Sequence, residues 1–335
     1  DTASAQLGFE LAGGGLTDVD FSFPSVQAAF HLNTQIDHLN LSGNFKEAVF
    51  DLDAESALLV QTLTAKDTEY LHNQLTELEA TTAIDTRKKR YEVAEGTVGF
   101  NDLAFALSGF FQDGEQQELD LWLNGESLDI PQLLAKIPER FTERLSGYDP
   151  EGTMTFGLHL AGDPAHPTDP MNIEAEFNVA NAGVEHLKSG LKFKDFSAQG
   201  RYQNRGDHPD IIELDQFNFK LKEGNLGGSG SIRNFDRPMI TFDLKGQAEL
   251  ADLQEILEIR ALEYITGQVE LECRFKGVVA NPDKLRPSDL RKSDISGRLQ
   301  FANTTFKIRN HEHRYHELNG EFFLRGNDAA FKNLS

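Results

Sequence analysis

Apolar side chains recur at every second position through most of the chain, and this period of two restricts what the chain can fold into more than any other feature. In "QVELECRFKG", Val269, Leu271, Cys273 and Phe275 fall on one side of an extended backbone, and Glu270, Glu272, Arg274 and Lys276 fall on the other. "LDLWLNG" does the same with Leu119, Leu121 and Leu123, and "TMTFGLHLAG" with Met154, Phe156, Leu158 and Leu160. "FNFKLKEG" supplies Phe217, Phe219 and Leu221, and "ITFDLKG" supplies Ile240, Phe242 and Leu244. Each strand so read has one apolar and one solvated face. That predicts antiparallel sheet covered on one side; a buried parallel sheet would show continuous apolar runs instead.

Helical signals are few. In "DIPQLL", Asp129 suits the N-cap, Gln132 stands three residues on, and Pro131 fits an early helical position. Leu133, Leu134 and Ile137 form a short apolar stripe that Pro138 limits. "DLQEIL" repeats the device, with Asp252 and Glu255 as the cap pair and Leu253, Ile256 and Leu257 as the stripe.

These landmarks recur. Gly125 and Gly246, each closing a strand before a helix, stand 121 residues apart. Gly162 and Gly277 are 115 apart, "FNVANAGV" and "LQFANTTF" 122, and the glycines ending "AQG" and "LNG" 120. One spacing of about 120 residues predicts a tandem array of β-rich units. The expected division is an irregular N-terminal unit over 1–95, a unit over 96–215 and a truncated unit over 216–335, continuous rather than separate domains. The same offset places "LGGSGSI" over "FALSGFF". This bears on the glycine-rich stretch "EGNLGGSGSIRNF", where a phosphate-cradling loop would need a helix to follow and, in its Walker form, a Lys then Ser or Thr. Neither is present, so the glycines are read as marking an interior hairpin and a strong bend in a sheet.

Composition narrows the function classes. With 32 Lys plus Arg against 54 Asp plus Glu, the net charge is −22, which disfavours a grip on nucleic acid or on anionic membrane surfaces. The single cysteine, Cys273, makes no intrachain disulfide and no thiolate zinc site. No apolar run approaches the roughly 20 residues that span a bilayer. The chain starts without Met and ends just after "DAAFKNL", and it reads as a piece of a longer protein. Phe outnumbers Tyr and Trp, at 25 against 6 and 1, which points to a large dry apolar face rather than a sugar-stacking platform.

The order of "VANAGV", the hairpin around "GNLGGSGSI", "DLKGQAELADLQEIL" and the closing "GQVELECRFKG" resembles the AsmA-like family of bacterial envelope proteins. The likeness covers Tyr91 to the C-terminus and, more faintly, the part before it. It implies a mainly β fold: an elongated, strongly curved antiparallel sheet, or β-groove, built from tandem units with short capping helices. It also implies a periplasmic location with an N-terminal inner-membrane anchor that this chain lacks, and a part in phospholipid transport between inner and outer membranes or in outer-membrane assembly. The expected partner is a phospholipid or other acyl lipid, with neither cofactor nor catalysis. The groove lining would be the sixteen residues from Leu119 to Phe275 named above on their strands, Cys273 excepted. Moving about 16 methylenes into water costs on the order of 12 kcal/mol, at ~0.8 kcal/mol each, and an apolar trough removes most of that cost.

The same pattern admits other folds and functions. The stripes could form closed β-sandwich cores, or the chain could be a surface or secreted β-repeat module such as an adhesin or glycan binder. A polysaccharide-degrading enzyme would need a convergent acidic or metal site. His311, His313 and His316 in "RNHEHRYHE" are the only metal-like grouping, and a hydrophilic edge strand or turn accounts for them better than a metal. Cys273 reads as a small core residue, and "RKKR" (Arg87 to Arg90), the only basic cluster, as a solvated strand or turn, with contact to a lipid headgroup or a partner as the alternative.

Overall fold

Alternation at period two folds here into antiparallel ladders, seen in a computed structural model. The structure describes residues 6–335 except 13–14, 23–29, 44–45, 66–67, 115–116, 137–141, 143–144, 164–170, 189, 206–208, 236, 257–258, 280–292 and 327. Side chains are described from residue 37 onward, apart from 38–39, 62–71 and 256. Two compact units result: Asp1–Arg144 with Thr153–Glu176 and Gln203–His208, and Leu145–Gly152 with Phe177–Tyr202 and Pro209–Ser335. The described residues are mainly β, with few and short helices.

In the first unit, β1 (Gln6–Ala12), β2 (Gly15–Ser22), β3 (Phe30–Gly43), β4 (Val49–Ala65), β5 (Thr68–Asp85), β6 (Arg90–Phe100), β7 (Leu103–Gln112) and β8 (Glu118–Asp129) each pair antiparallel with the next. Helix α1 (Ile130–Leu134) and strands β9 (Tyr148–Glu151) and β10 (Thr153–Gly162) follow, and β10 returns to pair with β8. In the second unit, β9 pairs with the end of β11 (Asn172–His186), through Gly183 opposite Glu151 and His186 opposite Tyr148. After β12 (Leu191–Arg205), seven strands form a meander: β13 (Ile211–Lys220), β14 (Asn225–Arg233), β15 (Met239–Glu249), β16 (Leu262–Val278), β17 (Asp294–Ile308), β18 (Arg314–Arg325) and β19 (Asp328–Lys332). Helix α2 (Leu250–Ile256) sits between β15 and β16.

Each unit has its own core beside its helix. In the first, Leu103, Phe105, Leu128 and Leu133 of α1 are buried together, with Phe100, Leu123, Met154 and Phe156 packed against them. In the second, Leu191, Leu221, Leu226, Ala248, Val269 and Leu271 are buried with Leu250 of α2, and Leu253 packs on the same cluster. The cap of α1 forms as the sequence suggests: an Asp129 carboxylate oxygen accepts from the Gln132 N–H at 2.9 Å, and Pro131 lies in the first turn. The expected cap of α2 is corrected. This helix starts at Leu250, so Asp252 lies inside its first turn, 5% exposed, rather than at the N-cap. Burying Leu250 and Leu253, three residues apart on one helical face, stabilises an earlier start than the Asp-x-x-Glu spacing indicates. Ile137, Pro138 and Leu257, and the side chain of Ile256, lie outside the described residues.

The glycine-rich stretch divides between two roles. The β13–β14 turn closes with the Leu221 N–H donating to the Gly224 carbonyl at 2.9 Å, whereas Gly227, Gly228 and Gly230 stand inside β14. The next segment is strand β15, not a helix, so the stretch is no phosphate loop. At Gly228 the neighbouring strand comes so close that an added Cβ would stand 1.9 Å from the Asp243 carbonyl oxygen. Gly246, on the facing strand, has φ +143°, and its added Cβ would stand 2.1 Å from the Asn225 oxygen. No side chain fits at either place without moving a backbone.

Gly228→Ala is accordingly expected to destabilise the protein by about 1–3 kcal/mol, read as a lower urea midpoint, through forced backbone shifts. Ser229→Ala, next to it on the solvated face, is expected to stay within about 0.5 kcal/mol.

Candidate functional site

Register, more than any single residue, builds the candidate site. Across the second unit, directly opposed residues form rungs on one face. One rung runs Leu214, Gly230, Phe242, Phe275, Ile295, and the next runs Phe217, Gly228, Leu244, Cys273, Gly297, Leu324. A third runs Phe219, Leu226, Gly246, Leu271, Leu299, Phe322. The Phe242 and Phe275 rings stack at 5.3 Å, and Phe193 meets Phe219 edge-on at 5.2 Å. The glycines face large apolar partners, so each rung alternates bulk with backbone.

In the first unit the corresponding residues are also directly opposed: Leu123 with Leu158, Leu121 with Leu160, and Met154 with Leu128. Leu107 and Gly109 flank them on β7, opposite Leu123 and Leu121. A register shift between Met154 and Phe156 lets Leu128 rejoin the face of Leu123. The expected lining residues therefore gather as two sets, one inside each unit.

Burial splits these sets. Leu221, Val269 and Leu271 are buried in the core beside α2, and Phe275 is buried against Phe242 farther along β16. Leu119, Leu121, Leu158, Leu160, Phe217, Phe219, Ile240, Phe242 and Leu244 are only half-buried, as are Leu123, Met154 and Phe156 beside the α1 core. In the first unit, then, the apolar face is sealed beside α1 and left partly open farther along the strands, whereas in the second it is sealed beside α2 and again at Phe275 and Val279, with Phe217, Ile240, Phe242 and Leu244 partly exposed. Sequence reading missed the first unit's outer rung, Phe50, Ile84, Tyr91, Phe111 and Leu119, of which it named only the last. It also missed Ile295, Leu299 and Phe301 on β17, although the alternation in "DISGRLQFAN" carries that signal.

The opposite face is polar. Its cross-strand ion pairs, such as Arg274 with Asp243 at 2.6 Å and Lys220 with Asp195 at 2.6 Å, are exposed and contribute little to stability. In the second unit this face bears an open hollow of about 620 Å³, lined by Asn218, Asn225, Lys245, Gln247, Glu270, Glu272, Arg298 and Gln300 among others. Its chemistry suits water and polar groups, not acyl chains.

The remaining candidates settle into structural places. His311 and His313 lie in the connection between β17 and β18, not on a strand, and His316 lies on β18; all three are exposed. Among the described residues, no three His, Cys, Asp or Glu side chains group as metal ligands would. Arg87, Lys88 and Lys89 form the exposed β5–β6 turn, and Arg90 begins β6. No helix of the described residues is long and apolar enough to cross a membrane. No family model, curated protein or solved structure matches the chain.

Cys273 sits half-buried on the apolar face between Leu244 and Gly297. Burial pushes its thiol up from the ordinary range, and the Asp243 carboxylate adds to the shift. Only the thiolate reacts with a maleimide, so a raised pKa lowers the reactive fraction at neutral pH. The alkylation rate of the folded protein is therefore expected to keep climbing above the pH of about 8.5 where a free thiol is half-ionised. In urea the ordinary profile should return.

Proposed function

We propose that this chain is the lipid-binding segment of an AsmA-like envelope protein. It lies in the periplasm, belongs to a full-length protein anchored in the inner membrane, and takes phospholipid tails on its apolar face while they pass between inner and outer membranes. One observation carries this reading: in each unit, successive rungs keep one ladder face apolar, and many of its side chains, such as Leu121 and Leu160 in one and Phe217 and Phe242 in the other, stay only half-buried. Apolar surface of this extent is a liability unless something covers it. An acyl chain does so with no specific pocket, and each methylene it shelters stabilises the complex by about 0.8 kcal/mol. The face is long enough: six strand-to-strand steps from β13 to β19, at about 4.8 Å each, span about 29 Å, which exceeds the roughly 15 Å of one leaflet's share of a 30 Å hydrocarbon core.

The finer architecture belongs to the same proposal: an elongated, curved β-groove of tandem units of about 120 residues, each capped by its short helix. Recurring backbone irregularities support it. Gly152 and Gly267, 115 residues apart, have φ +111° and +110°. Asn181 and Asn303, 122 apart, have φ 55° and 50°. Strained positions placed alike after each helix are what a repeated unit leaves behind.

Protein purified from a bacterial host is expected to release phospholipid on organic extraction and to show lipid-bound species by native mass spectrometry. Leu121→Glu with Phe242→Glu should cut the bound lipid several-fold while leaving the circular dichroism spectrum strand-rich. Wild-type protein free of lipid, in both measurements, would remove the reading.

A further inference from the structure

The apolar face of the first unit opens beside the chain's only basic run. At its sealed end, Leu103, Leu128 and Leu133 are 2%, 3% and 9% exposed. Following β8 from Leu128 to Leu119 covers about 30 Å, at 3.3–3.4 Å per residue. At that far end stands the rung of Phe50, Ile84, Tyr91, Phe111 and Leu119, with Tyr91 stacked on Phe111 at 6.4 Å and 41% exposed. A tyrosine at such a border keeps its ring on apolar surface and its hydroxyl in water.

Just past Ile84 and Tyr91 the chain makes the β5–β6 turn, which is firmly held. Asp85 accepts from the Arg87 and Lys88 N–H groups at 3.0 and 3.1 Å, and the Thr86 N–H donates to the Ala48 carbonyl at 2.9 Å. On the other side the Asp113 N–H donates to the Lys89 carbonyl at 2.9 Å. Charges of both signs crowd the tip: Lys88 lies 4.0 Å from Asp85 and Lys89 3.0 Å from Asp113, while the Arg87 guanidinium has no partner among the described residues. Lys88 and Lys89 are largely exposed, so these pairs are weak and exchange readily for a ligand's charges.

We propose that this rim holds the headgroup of a zwitterionic phospholipid. Its phosphate lies on Arg87 and Lys88, its ammonium on the Asp113 carboxylate, and its tails run over Tyr91 and Phe111 toward Leu123. The inference rests on the tail-binding reading above and adds which lipid the face selects and by which end it enters. Charge complementarity favours this occupant. An anionic headgroup is repelled by a chain of net charge −22, whereas a neutral headgroup carrying both signs is not and matches a tip carrying both.

The test uses the full chain and donor vesicles carrying tail-labelled lipids with identical tails: phosphatidylethanolamine, phosphatidylglycerol or diacylglycerol. Phosphatidylethanolamine is expected to be taken up best. Arg87→Glu with Lys88→Glu should lower its uptake about tenfold, the worth of two exposed charge contacts. Diacylglycerol uptake should stay unchanged, and Arg274→Glu, on the polar face of the other unit, should alter neither. Soluble glycerophosphoethanolamine should compete poorly, because it brings no tails. Equal uptake of phosphatidylethanolamine and diacylglycerol, a preference for phosphatidylglycerol, an unchanged ratio in the double variant, or strong competition by the soluble headgroup would each overturn this inference and leave tail binding standing. Uptake of none of the three lipids would overturn both.

Discussion

Contact between apolar side chains opposed across antiparallel strands is the interaction on which both units depend. The polar face offers little to replace it, since its ion pairs are exposed and screened. The rungs that place Phe242 on Phe275, or Leu123 against Leu158, remove apolar area from water at each step and fix the register, because a slip of one residue would turn every such side chain outward. Glycine enters for the same reason. At Gly228 and Gly246 the strands approach closely enough to keep the register only because no Cβ intervenes.

A single layer of sheet cannot cover its own apolar face, and among the described residues helices α1 and α2 cover only part of it. Leu133 in one unit, and Leu250 and Leu253 in the other, complete a small dry core beside each helix. Beyond that reach, residues such as Leu121, Phe217 and Phe242 stay half-buried. On the proposed reading, the side chains packed beside each helix serve stability and the half-buried ones serve binding. The shape of this division suits a long flexible ligand better than a compact one, since rungs repeat along the face and no described grouping of ligating side chains interrupts it.

Much of this was legible in the sequence, because alternation reports side-chain direction directly. The strands carrying Leu119 to Leu123, Ile240 to Leu244 and Val269 to Phe275 stand where the pattern indicates, and so does the cap at Asp129. What alternation cannot report is depth. Val269 and Phe242 print the same pattern, yet one is sealed beneath α2 and the other is half-open, because only tertiary packing decides where a helix of seven residues comes to rest. The start of α2 was misread for a related reason: a local capping signal at Asp252 yielded to the burial of Leu250. The rim of Phe50, Ile84, Tyr91 and Phe111 escaped notice because its members come from four strands and meet only through register. The basic run "RKKR" could be seen at once, but its place beside that rim could not.

The most direct test of the central claim compares the two faces of one strand pair in living membranes. A photocrosslinking amino acid is placed at Phe242 on the apolar face or at Arg274 on the polar face, and adducts are analysed by mass spectrometry. The account predicts acyl-lipid adducts from position 242 and few from position 274. Lipid adducts absent from position 242, or equally abundant from both positions, would contradict it.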